Sequence, residues 1–292
     1  MSQLSNPLRI VTFNNLPVAF QIVHGWAAQA GHKIVLTVTS PGPKTRRSTG
    51  YKEIAAMAGE QNIELLITTR LKAIATPVLS AIKPDLILSA SFPWLLTPEL
   101  LATARLGAIN LHPAVLPAYR GPNALRQIYD AAPFIGATLH RIDNAFDTGP
   151  ILAQRSVALP RPCTRETVGA AWGGSMVAAL AEGAQKAIMG DPGTPQPSEG
   201  ASYAAEFSEQ EHRLDLTESA YALQCKATAL SFFGTHPIFT RIDGVDWKVQ
   251  QVDLLMESTS GSAAPGSIIE RLSDGLIVQT GDGPAKLIAQ PA

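Results

Sequence analysis

The first 190 residues alternate between short apolar segments and longer segments with a helical apolar period. "LRIVTF" (residues 8–13) and "KIVLTV" (residues 33–38) are typical of buried strands, and the stretch between them indicates a helix that stops at Gly31. The alternation continues through "IELLIT", "DLILSA" and "GAINLH". Because strands joined through helices run parallel, this pattern predicts an α/β fold with a doubly wound, mostly parallel Rossmann-like sheet covered by helices on both faces.

The pattern changes after "GDPGTPQPSEG" at residues 190–200, a stretch rich in proline, glycine and serine. One helical segment follows, and then short strand-like runs separated by Asp-Gly pairs, which favour tight hairpin turns. These pairs are Asp243-Gly244, Asp274-Gly275 and Asp282-Gly283. The sequence therefore predicts an α/β domain over residues 1–189, a linker over 190–203 and a small OB-like β-barrel domain over 204–292.

Composition excludes several classes of protein. The chain of 292 residues is 46% hydrophobic, which is enough for a core without a metal or disulfide framework. Cys163 and Cys225 lie outside any Cys-x-x-Cys or Cys/His cluster, which argues against structural zinc and fits a reducing compartment. The N-terminus has no signal-like pattern and no apolar run is long enough to span a membrane, so we expect a cytoplasmic protein without a membrane partner.

Charge is distributed unevenly along the chain. The net charge is −1, but the part from Ala201 onward carries six Lys and Arg against twelve Asp and Glu, a balance of −6. Proteins that hold nucleic acid neutralise its phosphates with Lys and Arg. The C-terminal domain is therefore poorly suited to bind a polyanion.

The segment "GAINLHPAVLPAYRG" places two polar side chains at the end of an apolar strand. Asn110 and His112 share one face of that strand, since alternate residues of a strand point the same way. Ligands of open α/β sheets bind beyond the carboxyl ends of the strands, where an amide N–H and an imidazolium can stabilise an oxygen that gains negative charge. Asp143 and Asp147 in "IDNAFDTGPIL" are two candidates for a carboxylate that holds the imidazole. Taken singly, each of these residues is more often structural.

"INLHPAVLPAYRG" followed by "DTGPIL" resembles the 10-formyltetrahydrofolate-dependent formyltransferases, which include the methionyl-tRNA, glycinamide ribonucleotide and amino-sugar formyltransferases. The shared pattern is N-x-H-x-x-x-L-P-x-x-x-G, with D-x-G about 35 positions after the histidine. The resemblance covers almost the whole chain. Its two-domain layout is most similar to that of methionyl-tRNA formyltransferase.

The resemblance implies a role for each matching residue. Asn110 and His112 become the pair that stabilises the oxyanion, and Asp147 becomes the carboxylate that sustains the histidine's charge and helps to remove a proton from the attacking amine. The donor would be 10-formyltetrahydrofolate, and no metal would be needed. The pterin contacts implied are Phe92, Trp94, Leu95, Leu96, Ile142 and Asp143, although core packing explains Phe92 and Trp94 equally well.

Two local differences from the family concern the acceptor of the formyl group. "TFNNLPVAF" follows the first strand where many members have glycine and small residues, so Asn14 and Asn15 are predicted to line the acceptor pocket. The catalytic loop continues as "YRGPNALRQ", which differs from the usual pattern of the tRNA enzymes. This difference makes Arg120 and Asn123 candidates for contacts with the acceptor.

The loop after the second strand is short, and its cations are Lys44, Arg46, Arg47 and Lys52, for which a solvated loop is a better interpretation than phosphate contacts. With the acidic C-terminal domain, this loop favours a small amine as acceptor: an amino sugar, an amino acid or a biosynthetic intermediate. Three alternatives stay open: a methionyl-tRNA formyltransferase that binds initiator methionyl-tRNA, a 10-formyltetrahydrofolate hydrolase, and a folate-binding protein without activity. A homodimer formed through the C-terminal domain is also open.

Overall fold

The computed structural model describes residues 7–43, 49–234, 236–255 and 263–292. Its Cα positions divide the chain into two compact units, and neither unit is continuous in sequence. The first unit contains the residues up to Gly121 together with Gly136–Arg155 and Gly174–Tyr203. The second unit contains Pro122–Ile135, Ser156–Gly173 and Ala204–Ala292.

A seven-stranded sheet forms the centre of the α/β fold. Its strands are β1 (Arg9–Asn14), β2 (Lys33–Thr39), β3 (Leu65–Ile67), β4 (Leu86–Ala90), β5 (Ala108–His112), β6 (Phe134–Arg141) and β7 (Ile151–Ala158). The order across the sheet is β3-β2-β1-β4-β5-β6-β7. Pairing is parallel from β3 to β5 and antiparallel between β5 and β6. The predicted doubly wound, mostly parallel sheet is confirmed.

Seven α-helices accompany the strands in the described residues: α1 (Pro17–Gln29), α2 (Gly50–Glu60), α3 (Thr76–Ile82), α4 (Pro98–Leu101), α5 (Arg126–Tyr129), α6 (Arg165–Ile188) and α7 (Ala220–Ser231). A π-helical turn precedes α3 at Leu71–Ala75, and a 3-10 turn lies at Glu209–His212. Successive residues of the central strands enter two different apolar clusters. Ile10 and Leu88 belong to one cluster, and Val11 and Ile87 belong to the other. Both faces of the sheet are therefore buried, which explains why these strands are apolar throughout.

The strand register aligns the carboxyl ends of β1, β4 and β5. Asn14 of β1 pairs with Ala90 of β4, and Ala90 pairs with Leu111 of β5, so the three strands end at one level. The chain leaves β1 for β2 on one side of the sheet, while β4 lies on the other side. Such a switch in strand order opens a crevice at the carboxyl ends of the strands, where open α/β sheets bind their ligands.

The second unit contains a five-stranded antiparallel sheet with the order β10-β11-β12-β9-β8. The strands are β8 (Ile238–Ile242), β9 (Val245–Leu254), β10 (Ile268–Leu272), β11 (Gly275–Gln279) and β12 (Pro284–Pro291), and α7 packs against β9. Asp243 and Gly244 join β8 to β9 with φ of 49° and 77°, the positive values that a type I′ hairpin requires. The predicted small antiparallel C-terminal β-domain is confirmed.

Three smaller features follow from the part of the chain that the structure describes. Residues 190–203 group with the first unit, where Thr194 forms a β-bridge with Ile151 and Tyr203 forms one with Arg120. Both cysteines are free and buried. None of the described helices is long and apolar enough to cross a membrane, and no cluster of described side chains could hold a metal ion.

A buried histidine connects α1 to the sheet beneath it. His24 is 8% exposed, its Nε2 lies 3.0 Å from Thr37 Oγ1, and its ring stacks on Phe20. Burial lowers the pKa of His24 from 6.5 to about 4. The imidazole is therefore neutral in the folded protein under conditions that protonate it in the unfolded chain.

This difference predicts a loss of stability in mild acid. Between pH 6.5 and 4 the unfolded chain binds a proton at His24 that the folded protein does not bind, so the free energy of unfolding falls as pH falls. The contribution of His24 across this window is about 3 kcal/mol. Urea unfolding from pH 7 to 4.5 should therefore show a weaker pH dependence for His24→Gln than for the unmutated protein. Parallel curves for the two proteins would contradict the assignment.

Candidate active site

Asn110 and His112 lie at the carboxyl end of β5, with their side chains on the same face. Antiparallel pairing with β6 places His140 opposite Asn110 and Thr138 opposite His112. His112 is 4% exposed, while Asn110 is half-buried. A fully buried histidine and a partly accessible amide therefore stand at the carboxyl edge of the sheet.

Asp147 meets both of these side chains. Its Oδ1 accepts a hydrogen bond from Asn110 Nδ2 at 3.2 Å, and its Oδ2 lies 3.4 Å from His112 Nδ1. The backbone N–H of Gly121 donates to the same Oδ2 at 2.9 Å. The structure thus brings together Asn110, His112 and Asp147, and joins the two sequence segments that carry the family resemblance.

The turn after β6 explains which of the two candidate aspartates reaches the histidine. Asp143 accepts hydrogen bonds from the Thr148 hydroxyl at 2.7 Å and the Ala145 N–H at 3.2 Å, so its carboxylate shapes the turn. Asp147 adopts a φ of 57°, which is unusual for a residue other than glycine. At Gly149 a Cβ atom would lie 1.9 Å from the Arg141 carbonyl oxygen, so the turn requires glycine there.

The electrostatics keep Asp147 ionised. Burial alone would raise the pKa of the Asp147 carboxyl, but neighbouring groups, chiefly the imidazole of His112 and also the N–H of Gly121, lower it to about 2. Burial lowers the pKa of His112, and Asp147 and the Tyr119 carbonyl act in the opposite direction. The site therefore holds a fixed negative charge beside an imidazole whose pKa is lowered on balance, because burial outweighs these two contacts.

The other ring nitrogen of His112 also has a partner. His112 Nε2 lies 2.8 Å from the carbonyl oxygen of Tyr119. Because a carbonyl oxygen only accepts, Nε2 must carry the hydrogen of this bond. In a neutral ring with this hydrogen, Nδ1 would turn its lone pair toward the Asp147 carboxylate, so only the protonated ring, with a hydrogen on each nitrogen, satisfies both contacts.

His140 is a residue of this site that sequence reasoning missed. Its Nδ1 lies 2.7 Å from the Arg141 carbonyl oxygen and must donate, which leaves Nε2 to accept from Asn110 Nδ2 at 3.1 Å. The Asn110 amide nitrogen therefore faces two acceptors, His140 and Asp147, and its orientation is determined. The only signal for His140 is its position opposite Asn110, which requires the β5–β6 register.

The predicted cofactor residues fall into three places. Phe92, Trp94, Leu96 and Ile142 pack in the apolar cluster on one face of the sheet, where Phe92 meets Phe13 edge to face. Leu95 is 39% exposed and, with Trp94, Arg70 and Lys72, lines an open groove of about 430 Å³. Asp143 lies in the turn described above. Their role as folate contacts stays a prediction.

The predicted acceptor residues differ in their surroundings. Asn14 and Asn15 are buried at the end of β1, and the Oδ1 atom of each has no hydrogen-bond partner in the described part of the chain. Arg120 donates from Nε and Nη2 to Gln196 Oε1 at 3.1 and 2.7 Å. Asn123 belongs to the second unit, where its amide donates to the Ala205 carbonyl at 3.0 Å. Their contacts with an acceptor stay predictions.

The basic loop after β2 is only partly described. Lys44, Arg46 and Arg47 lie outside the described residues, and Lys52 lies in α2.

Comparison with curated proteins gives consistent names. The chain is 33% identical over 220 residues to the methionyl-tRNA formyltransferase of Ralstonia nicotianae. This alignment covers 74% of this chain and 66% of that protein. It is 30% identical over 303 residues to the methionyl-tRNA formyltransferase of Roseiflexus sp.. That alignment covers 98% of this chain and 89% of the relative.

Comparison with solved structures gives the same fold. An N-formyltransferase from Helicobacter canadensis, in complex with folinic acid and dTDP-3-aminofucose, has a TM-score of 0.67 at 18% identity and covers 98% of this chain and 100% of that chain. The sugar 3N-formyl transferase WlaRD has a TM-score of 0.65 at 18% identity and covers 98% of each chain.

The family models match both parts of the chain. The formyl transferase model matches residues 8–174, and the model of the formyl transferase C-terminal domain matches residues 206–290. The first of these spans contains Asn110, His112 and Asp147. The chain belongs to the formyl transferase family.

Proposed function

We propose that this protein transfers the formyl group of 10-formyltetrahydrofolate directly to the primary amine of a small molecule. The observation that carries the proposal is the convergence of Asn110 and His112 on Asp147, whose carboxylate oxygens lie 3.2 Å from the Asn110 amide nitrogen and 3.4 Å from His112 Nδ1 across two separate segments. An ionised carboxylate, an imidazole and an amide at the carboxyl edge of an open sheet suit acyl transfer through an oxyanion.

The side chains suggest how the step proceeds. The neutral amine attacks the formyl carbon, a tetrahedral oxyanion forms, and the bond from carbon to N10 breaks as N10 takes up a proton. The formyl oxygen would occupy the position at His112 Nε2 that the Tyr119 carbonyl holds, because both oxygens accept from the same N–H. Asp147 would sustain positive charge on His112 and attract the proton that leaves the attacking nitrogen. Asn110 would complete the oxyanion site by turning toward it one of the two N–H groups that face His140 and Asp147.

The folate would bind beside the loop that follows β4. The groove lined by Trp94 and Leu95 offers an apolar wall for a pterin or aminobenzoyl ring. Arg70 and Lys72 line the same groove, and Lys72 also pairs with Glu99 at 3.1 Å. Positive charge beside an aromatic wall suits a cofactor that carries both rings and carboxylates.

The charges of the second unit support a small acceptor. Five cations of this unit already pair with carboxylates, in the pairs Arg126–Glu211, Arg213–Asp246, Lys226–Glu218, Arg241–Asp246 and Lys286–Asp274. The carboxylates offset the charge of these cations locally and so reduce the positive field that the phosphates of a tRNA would meet. The acidic balance of the C-terminal sequence acts in the same direction.

A second candidate is formylation of initiator methionyl-tRNA. It is favoured by the names of the curated relatives, which are methionyl-tRNA formyltransferases. The Helicobacter canadensis and WlaRD structures favour the small-molecule candidate, because the former contains a nucleotide-linked amino sugar and the latter is described as a sugar formyl transferase.

An acceptor panel tests the proposal. We expect tetrahydrofolate release from 10-formyltetrahydrofolate to depend on one member of a panel of free and nucleotide-linked amino sugars and amino acids. Stimulation by methionyl-tRNA alone, with tight salt-dependent tRNA binding, would establish the second candidate instead. Release of equal amounts of formate and tetrahydrofolate without any amine would indicate a hydrolase and contradict both.

A further inference from the structure

Gln196 forms a complete hydrogen-bonded bridge behind the candidate active site. Its Nε2 donates to the carbonyl oxygens of Asp147 at 2.9 Å and Gly149 at 2.8 Å. Its Oε1 accepts both bonds from the guanidinium of Arg120. The orientation of the amide is fixed, because the two carbonyls only accept and the guanidinium only donates.

The bridge acts on the backbone that aims the Asp147 carboxylate. Asp147 has a left-handed φ of 57°, a conformation that needs support from its surroundings. Gln196 holds the peptide groups that follow Asp147 and Gly149, and these two residues bound the turn. Both N–H groups of the Gln196 amide are used for this purpose.

The same bridge also contacts the residue that precedes Gly121, a hydrogen-bond partner of the Asp147 carboxylate. Arg120 directly precedes Gly121, whose N–H donates to Asp147 Oδ2 at 2.9 Å. The backbone of Arg120 is itself paired with the segment that contains Gln196, since its N–H donates to the Ser202 carbonyl at 3.0 Å. Gln196 therefore contacts the residues on both sides of the Gly121–Asp147 hydrogen bond: Asp147 itself, and Arg120, which precedes Gly121.

We propose that Gln196 is a positioning residue for formyl transfer, which aims the Asp147 carboxylate at His112 through the two N–H bonds that it donates to the Asp147 turn. The inference rests on the proposed function. Residues 190–203 have a sequence typical of a linker. Under this inference, one of them supports the reaction at the site in the first unit.

Two variants separate the contacts of Gln196. Gln196→Met keeps the size of the side chain and removes every hydrogen bond. Gln196→Glu keeps an acceptor for Arg120 but cannot donate to the Asp147 and Gly149 carbonyls. Gln185 is exposed on α6, so Gln185→Met makes the same chemical change away from the site and serves as the matched control.

We expect both Gln196 variants to lower kcat about tenfold to a hundredfold, the usual effect of losing a group that orients a reacting side chain. KM for the folate should stay unchanged, because Gln196 does not contact the groove of Trp94 and Leu95. The loss of kcat that belongs to protonation of Asp147, which lies below pH 4 in the unmutated protein, should begin at higher pH in both variants, since a carboxylate held less firmly beside His112 is protonated more easily.

Rates are measured per folded molecule, with the folded fraction taken from the stoichiometry of 5-formyltetrahydrofolate binding. Values of kcat and pH profiles for Gln196→Met and Gln196→Glu that match Gln185→Met would overturn the inference, as would a loss explained entirely by a smaller folded fraction. Absence of amine-dependent transfer in the unmutated protein would instead refute the proposed function itself.

Discussion

Replacing His112 by alanine should reduce formyl transfer about a thousandfold or more, the loss expected when a group that both stabilises an oxyanion and handles a proton is removed. His112 is 4% exposed, and its two ring nitrogens face Asp147 and the Tyr119 carbonyl, so no water molecule or neighbour takes its place without rearrangement. The measurement is single-turnover transfer to the acceptor identified by the panel.

Folate binding should survive the same substitution. The groove of Trp94 and Leu95 is built from segments other than β5, so 5-formyltetrahydrofolate should bind His112→Ala with unchanged affinity. His32→Ala is the matched control, because His32 directly precedes β2, at the amino-terminal ends of the parallel strands, whereas His112 lies at their carboxyl ends. Turnover of His112→Ala close to that of His32→Ala would refute the assignment of His112.

Asp147→Asn should cost about a thousandfold in kcat, as loss of the carboxylate does in other histidine–carboxylate sites. An asparagine at this position can still accept from Gly121 or Asn110, so the turn should persist. Its amide cannot stabilise a positive charge on His112, and it presents an N–H where Asp147 presents a negative oxygen. Stopped-flow measurement of tetrahydrofolate release gives kcat directly.

Asp85→Asn provides the comparison for this prediction. Asp85 is also an ionised aspartate in the first unit, where it pairs with Arg105 at 2.8 Å, but it lies next to the amino-terminal end of β4. Its loss should change stability and leave kcat per folded molecule unchanged. If Asp147→Asn and Asp85→Asn had similar kcat values, Asp147 would have no part in the reaction.

The pKa of Asp147 adds a condition on the pH profile. Because this pKa is lowered to about 2, the carboxylate is fully ionised above pH 4. Any acid limb of kcat between pH 5 and 7 therefore belongs to another group, and the attacking amine and His112 are the candidates.

Local pattern was enough to predict the sheet. The apolar runs of β1, β2, β4 and β5 are buried on both faces, and no polar face interrupts them, so their sequence alone indicates parallel strands between helices. The Asp243-Gly244 pair predicts the hairpin between β8 and β9 because the left-handed backbone of both residues is a local requirement of that turn. Asn110 and His112 were found in the same way, since their spacing along one strand sets their common face.

Contacts set by long-range register could not be predicted. His140 reaches Asn110 only because β6 pairs antiparallel with β5, and one residue of shift would turn it to the other face. Gln196 lies in a stretch whose composition is typical of a linker, and composition carries no information about the two carbonyls that it contacts. Arg120 was singled out for an acceptor, whereas its guanidinium donates to Gln196.

Several expectations remain predictions. They are the domain boundaries at residues 189 and 204, the cytoplasmic location and the homodimer, together with the roles of the folate and acceptor residues. The two compact units divide the chain differently from those boundaries, because Pro122–Ile135 and Ser156–Gly173 group with the C-terminal residues. Light scattering of the purified protein checks the homodimer.

The ratio of N-formylated amine formed to tetrahydrofolate released tests the central claim most directly. The protein is incubated with 10-formyltetrahydrofolate labelled with ¹³C in the formyl group and with the stimulating amine, and products are followed by NMR. The account predicts one labelled N-formyl group on the amine for each tetrahydrofolate released, and no product with His112→Ala. Label that appears in free formate whether or not the amine is present, or no release of tetrahydrofolate at all, would contradict it.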